Sequence, residues 1–172
     1  MILKAFKKKS NQKYINKLLN ARRVAVSNTK MKTIGVILNV NEFADFDAFR
    51  SFFKSLNIQE AKTKIVAFVD DPKGTNNLWD TYFNPKDFGW KGKINSIDLQ
   101  TFIDTQFDVL ICFYKEHHIE LDIIAALSKS NFKVGIMNED QRLYDLIIDV
   151  KPQEFSLFKE ELKKYLTVLN KL

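Results

Sequence analysis

Five apolar runs rich in β-branched residues, interleaved with stretches of helical spacing, limit what this chain can fold into. Residues 33–40 (TIGVILNV), 64–70 (KIVAFVD), 107–113 (FDVLICF), 132–137 (FKVGIM) and 144–150 (YDLIIDV) read as strands. Nearly continuous apolar runs are how strands buried on both faces look. Between them, residues 42–56 place Phe43, Phe46, Phe49, Phe52, Phe53 and Leu56 at helical spacing. Ser96 can cap a helix through Thr105, residues 116–129 read as a further helix, and Pro152 fits the first turn of a closing helix to Leu169. Alternating strands and helices predict an α/β fold: an open, mainly parallel five-stranded sheet in a three-layer sandwich, Rossmann-like or flavodoxin-like. One link is short. Only about six residues join the last two strands, against the dozen or more of an ordinary parallel crossover. Either a tight turn of helix serves, or the last strand runs in the other sense at the sheet edge.

Residues 1–32 stand apart as a basic arm and connector before a single domain, 33–172. The arm predicts a helix over 2–22, with Ile2, Leu3, Phe6, Tyr14, Ile15, Leu18 and Leu19 in one stripe interrupted at Ser10. Its ten basic residues (Lys4, Lys7, Lys8, Lys9, Lys13, Lys17, Arg22, Arg23, Lys30, Lys32) have no acidic neighbour before Glu42. The other 140 residues carry 17 basic and 21 acidic side chains, so the net +6 divides into +10 on the arm and −4 on the body. Such asymmetry points the arm at an anionic partner. Lysine outnumbering arginine by 23 to 4 is also what an AT-rich genome would give.

No apolar stretch reaches the roughly 20 residues that span a bilayer, and the basic start lacks the apolar centre of a secretory signal. An acid-poor start fits an organellar transit peptide, though Lys and Asn replace the usual Arg and Ser. Cys112 is the only cysteine and sits inside a strand run, which predicts a buried, inert thiol in a reducing compartment.

Chemistry in open α/β sheets sits beyond the carboxyl ends of the strands. The segment after the first strand, Asn39-Val40-Asn41-Glu42, has no glycine, so neither a dinucleotide fingerprint nor a phosphate loop is present and no cofactor is expected. Asp70 and Asp71 end the second strand. They read as a polar strand end before Pro72, or as paired carboxylates for a divalent cation; no further His or Cys completes a metal site. Residues 71–93 hold both tryptophans, Trp79 and Trp90, three of the five glycines and two of the three prolines, with Lys73, Lys86, Lys91 and Lys93 between aromatics. The loop either folds its aromatics back onto the core or forms a stacking surface for a base, sugar or peptide. The turn from Tyr114 to His118 carries both histidines, and Asn138, Glu139 and Asp140 follow the fourth strand toward the same crevice.

Residues 107–114, 121–136, 144–150 and 158–172, with 88–94 (FGWKGKI), resemble a family of small uncharacterised proteins of Bacteroidetes-type bacteria. The resemblance implies a bacterial, cytoplasmic protein, weakens the transit-peptide reading and brings no functional residue with it.

Two readings follow. In the first, the protein is a non-catalytic binding protein whose arm (Lys4, Lys7, Lys8, Lys9, Lys13, Lys17, Arg22, Arg23) contacts RNA or a ribonucleoprotein. An anionic membrane surface would be an alternative partner if Ile2, Leu3, Phe6 and Leu18 were exposed. In the second, a small-molecule site for a nucleotide or sugar derivative is built from Asp70, Asp71, Trp79, Trp90, Lys91, Tyr114 and His118. No nucleophile elbow or catalytic triad order is present, so the sequence leans away from an enzyme. Oligomeric state is left open.

Overall fold

The apolar runs become strands. The computed structural model describes residues 2–24, 26–27, 29–71, 81–136 and 140–172. Six strands, β1 (Ile34–Asn39), β2 (Thr63–Phe68), β3 (Thr81–Phe83), β4 (Val109–Phe113), β5 (Lys133–Gly135) and β6 (Leu146–Ile147), form one sheet in the order 3-2-1-4-5-6. Every neighbouring pair is parallel. β1 and β4 lie at the centre, and every residue of both is buried. That order belongs to doubly wound dinucleotide-binding sheets and differs from the flavodoxin order.

The sheet has six strands where the sequence predicts five. The addition, β3, lies in the segment read as a loop. It is only Thr-Tyr-Phe, too short for a periodicity to show, and it pairs with Val66–Phe68 of β2. Phe83 and Phe88 are buried with the core, and Tyr82 packs edge-on against Phe46 at 5.9 Å. The described aromatics of this loop therefore fold back, apart from Trp90. The short link before β6 holds a turn of 3-10 helix (Gln141–Leu143), capped by Asp140 through the Arg142 N–H at 3.1 Å. β6 then runs parallel to β5, so the tight-turn alternative is the one realised.

Helices cover both faces. α2 (Phe46–Ser55) and α5 (Phe155–Val168) pack on one side. α2 begins later than the apolar spacing suggests because Asp45 caps it, accepting from the Ala48 N–H at 2.9 Å. α5 likewise begins at Phe155, with Pro152 in the turn before it. Phe49, Phe113 and Phe158 are fully buried there, with ring centroids 4.8–6.4 Å apart. Each such ring stabilises the fold by about 1.5–3 kcal/mol.

α3 (Ile97–Asp104), α4 (Ile119–Leu127) and α1 (Ile2–Ala21) cover the other face. α1 packs on α4, and its buried residues are Asn11, Ile15 and Leu19, a row at i, i+4 and i+8. The single stripe expected from the sequence is split. On the docked face the positions before Asn11 are Lys8 and Lys4, at i−3 and i−7, so that face has nothing apolar to bury there, and Ile2, Leu3 and Phe6 stay exposed. Among the described residues no helix is long and apolar enough to cross a membrane.

Candidate docking surface

The crevice between β1 and β4, where the strand order reverses, is where doubly wound folds hold ligands. Here the chain's own carboxylate fills it. Glu42 accepts from the Lys115 N–H at 2.9 and 3.0 Å and from the Glu116 N–H at 3.0 Å. The Asn39 side-chain amide donates to it at 3.3 Å. Two adjacent backbone donors make an anion cradle, and Glu42 occupies it. Beside it, Asp70 accepts from the Asn41 amide at 3.1 Å, and its other oxygen lies 4.0 Å from Nδ1 of His118. The His118 ring rests on Phe68 at 4.6 Å. Its Nε2 is buried without a hydrogen-bond partner, 3.6 Å from a Glu116 oxygen. Asp71 is exposed next to Asp70. No group of three or more His, Cys, Asp or Glu that could hold a metal occurs among the described residues.

Tyr114 does not join this crevice. It points into the core beneath α4, fully buried, with its hydroxyl 3.2 Å from that of Tyr144 and 3.5 Å from Asp122 Oδ1. His117 Nδ1 is 3.0 Å from Asp122 Oδ2, and a cavity of about 200 Å³ lies over the pair, roofed by Gln12, Ile15 and Leu19 of α1. Burial pushes both tyrosines well above their ordinary range and lifts the Cys112 thiol to about 12. The same burial lowers Lys133 to about 8; its Nζ donates to the Ala125 carbonyl in the last turn of α4 at 2.6 Å. Sequence reasoning missed Asp122 and Tyr144. The available signal was a lone acid inside the apolar helix Ile119–Leu127.

Trp90 and Lys91 are carried away from the crevice as well, and join the arm. A short hairpin is closed by the Phe88–Ile94 bridge and by the Gly89 N–H donating to the Lys93 carbonyl at 2.7 Å. At its tip, Lys91 and Gly92 both take the left-handed conformation, at φ 54° and 71°. Asn11, only 2 % exposed, clamps this hairpin to α1: its amide donates to the Gly89 carbonyl at 3.2 Å and its oxygen accepts from the Gly92 N–H at 3.0 Å. Tyr14 lies against Gly92, where a Cβ would come within 2.4 Å of the ring. Lys7 donates to the Pro85 carbonyl at 3.4 Å. Trp79 lies outside the described residues, as do Asn138 and Glu139.

The arm's cations divide into two groups. Lys7 and Arg22 are tied to the body: Lys7 is half-buried against the Pro85 carbonyl, and Arg22 grips Asp145 at 2.7 Å to each oxygen and donates to the Arg142 carbonyl at 2.9 Å. Lys4, Lys8, Lys9, Lys13, Lys17 and Arg23 are exposed, and among the described residues none of them forms an ion pair. Around the first turns sit Ile2, Leu3 and Phe6, at 73, 74 and 59 % exposure, and Trp90 is 50 % exposed on the clamped hairpin. The surface is thus cationic, studded with large apolar groups, and held to the body through Asn11 and Arg22.

Fold and surface together define a doubly wound α/β protein with its ligand crevice filled from within and a basic helix strapped to one face. A model described as "Family of unknown function (DUF6913)" matches residues 7–169, and the chain belongs to that family. The match takes in the arm from Lys7 onward as well as the sheet. No curated protein and no solved structure matches the chain.

Proposed function

We propose that this is a non-catalytic binding protein that docks on a polyanionic partner through α1. Residues 1–32 act as the docking arm, and residues 33–172 form the Rossmann-like body that carries it. The observation behind the reading is the set of exposed lysines without ion pairs on a clamped helix: Lys9, Lys13 and Lys17 on the side away from the body, and Lys4 and Lys8 in the turns before the clamp. A helix fixed in this way presents its charges already arranged, so less ordering cost is met on binding. Lysines meet phosphate as point charges and read no sequence. RNA or a ribonucleoprotein would satisfy these lysines alone.

The test compares the full-length protein with a Lys4→Glu/Lys8→Glu/Lys9→Glu/Lys13→Glu variant on immobilised heparin, a generic polyanion, across a salt series. All four residues are exposed, so the variant should fold. Salt-sensitive retention of the parent and loss by the variant are expected; equal retention of both would refute the reading.

The alternative small-molecule reading keeps one observation in its favour. His118 offers a polar anchor at the crevice: its Nε2 is buried without a hydrogen-bond partner, 3.6 Å from Glu116, and its Nδ1 lies 4.0 Å from Asp70. A thermal-shift screen of nucleotides and sugar derivatives, with His118→Ala as control, addresses it, since a ligand that binds the folded form must raise stability.

A further inference from the structure

We infer that the anionic partner is the surface of a phospholipid bilayer, reached by the first turns of α1 and the Trp90 turn together. The inference rests on the docking reading above and names its partner. RNA alone gives no reason to expose Ile2, Leu3 and Phe6. Nucleic-acid grooves do use aromatics, but as stacking platforms inside a groove; here aliphatic and aromatic groups project from a convex helix end among lysines. That mixture matches the headgroup boundary of a membrane, where apolar side chains enter the acyl edge and lysines meet anionic headgroups.

The geometry supplies a second, independent point of contact. Leu3, Lys7, Ser10 and Tyr14 follow one another at i, i+4, i+7 and i+11, so they share one side of the helix. Lys7 and Tyr14 both touch the segment that carries Trp90. Leu3 therefore continues the row that runs along the Trp90 hairpin, and Phe6 lies next to it. Tryptophan is favoured at membrane interfaces because its ring is apolar while its N–H stays wet. The hairpin holds Trp90 outward at a conformational cost, since Lys91 adopts a left-handed φ that a side chain disfavours. The lysines beside these groups, on α1 and at Lys91, complement a negative surface.

The deciding experiment measures co-flotation of full-length protein with phosphatidylcholine vesicles, with and without phosphatidylserine, and binding to poly(U) RNA in parallel. The Leu3→Ser/Phe6→Ser variant alters two exposed residues and should leave the fold intact. Expected are binding to the serine-containing vesicles only, at least about a ten-fold loss in the variant, and a blue shift of tryptophan emission that Trp90→Phe abolishes. Salt-sensitive binding to RNA without vesicle binding, unaffected by Leu3→Ser/Phe6→Ser, would overturn the lipid inference while leaving the docking reading standing. Binding to neither probe, together with equal heparin retention of parent and lysine variant, would overturn both.

Discussion

Arg22→Met tests how the arm is held. Asp145 has a side chain only 4 % exposed, and Arg22 only 16 %. The carboxylate accepts twice from Arg22 at 2.7 Å and once from the Lys133 backbone N–H at 2.8 Å. Removing the guanidinium leaves a buried anion with one backbone donor. Stripping one partner from a buried pair costs roughly 3–5 kcal/mol. The remaining donor and the partial exposure of Arg22 place the effect near the lower end, about 3 kcal/mol. In a chain of this length that corresponds to a fall in Tm of roughly 10 °C. Asp145→Asn should cost less, because a neutral amide oxygen can still accept from Lys133 and the stranded arginine can turn to water. Arg22→Met/Asp145→Asn should then be more stable than Arg22→Met alone, since the buried charge is gone. Circular dichroism melts of the four proteins complete the cycle. A loss below about 0.5 kcal/mol for Arg22→Met, or simple additivity in the double variant, would refute the idea that this buried pair anchors α1.

Other outcomes follow from the same packing. Asn11→Ala orphans the buried Gly92 N–H and frees the hairpin, and should cost about 1–3 kcal/mol in urea unfolding; Gly92→Ala should cost at least as much, from its φ and the Tyr14 ring. Lys133 bears a folded-state value near 8 against 10.5 when unfolded, so the fold binds its proton less tightly. The penalty is complete below pH 8 and is relieved as pH rises toward 10.5; the stability difference between parent and Lys133→Met should shift in the parent's favour by about 1 kcal/mol from pH 7.5 to 9. Cys112, raised to about 12, should resist iodoacetamide at pH 8 in the native protein and react readily in denaturant. Glu42→Ala strands the half-buried Lys115 N–H and should lower stability by about 1–2 kcal/mol in the same unfolding assay.

The layered, parallel architecture was legible because buried strands and amphipathic helices leave long, distinct patterns. β3 was not, because three residues cannot show a period; nor could the sense of β6 be read, because a turn of 3-10 helix and a reversal need equally short links. The candidate residues were legible by type and only partly by place. The sequence groups Trp90 and Lys91 with Asp70 and His118 because all follow strand ends, yet Asn11, a polar residue inside a helical stripe, draws their hairpin to the arm. Arg22 looked like one more surface cation until Asp145, far along the chain, buried it. Contacts of this kind depend on which distant segments meet, and no local pattern records them.

The Arg22–Asp145 pair spans 123 residues, which gives the arm a history as well as a position. At a synthesis rate of about 5–20 residues per second, Arg22 leaves the ribosome roughly 6–25 seconds before its partner exists. For that interval α1 lacks the carboxylate that later buries Arg22. Only when α4 and the segment to Asp145 have emerged can the strap close. The pair therefore sets when, as well as where, the C-terminal end of α1 is fixed to the body.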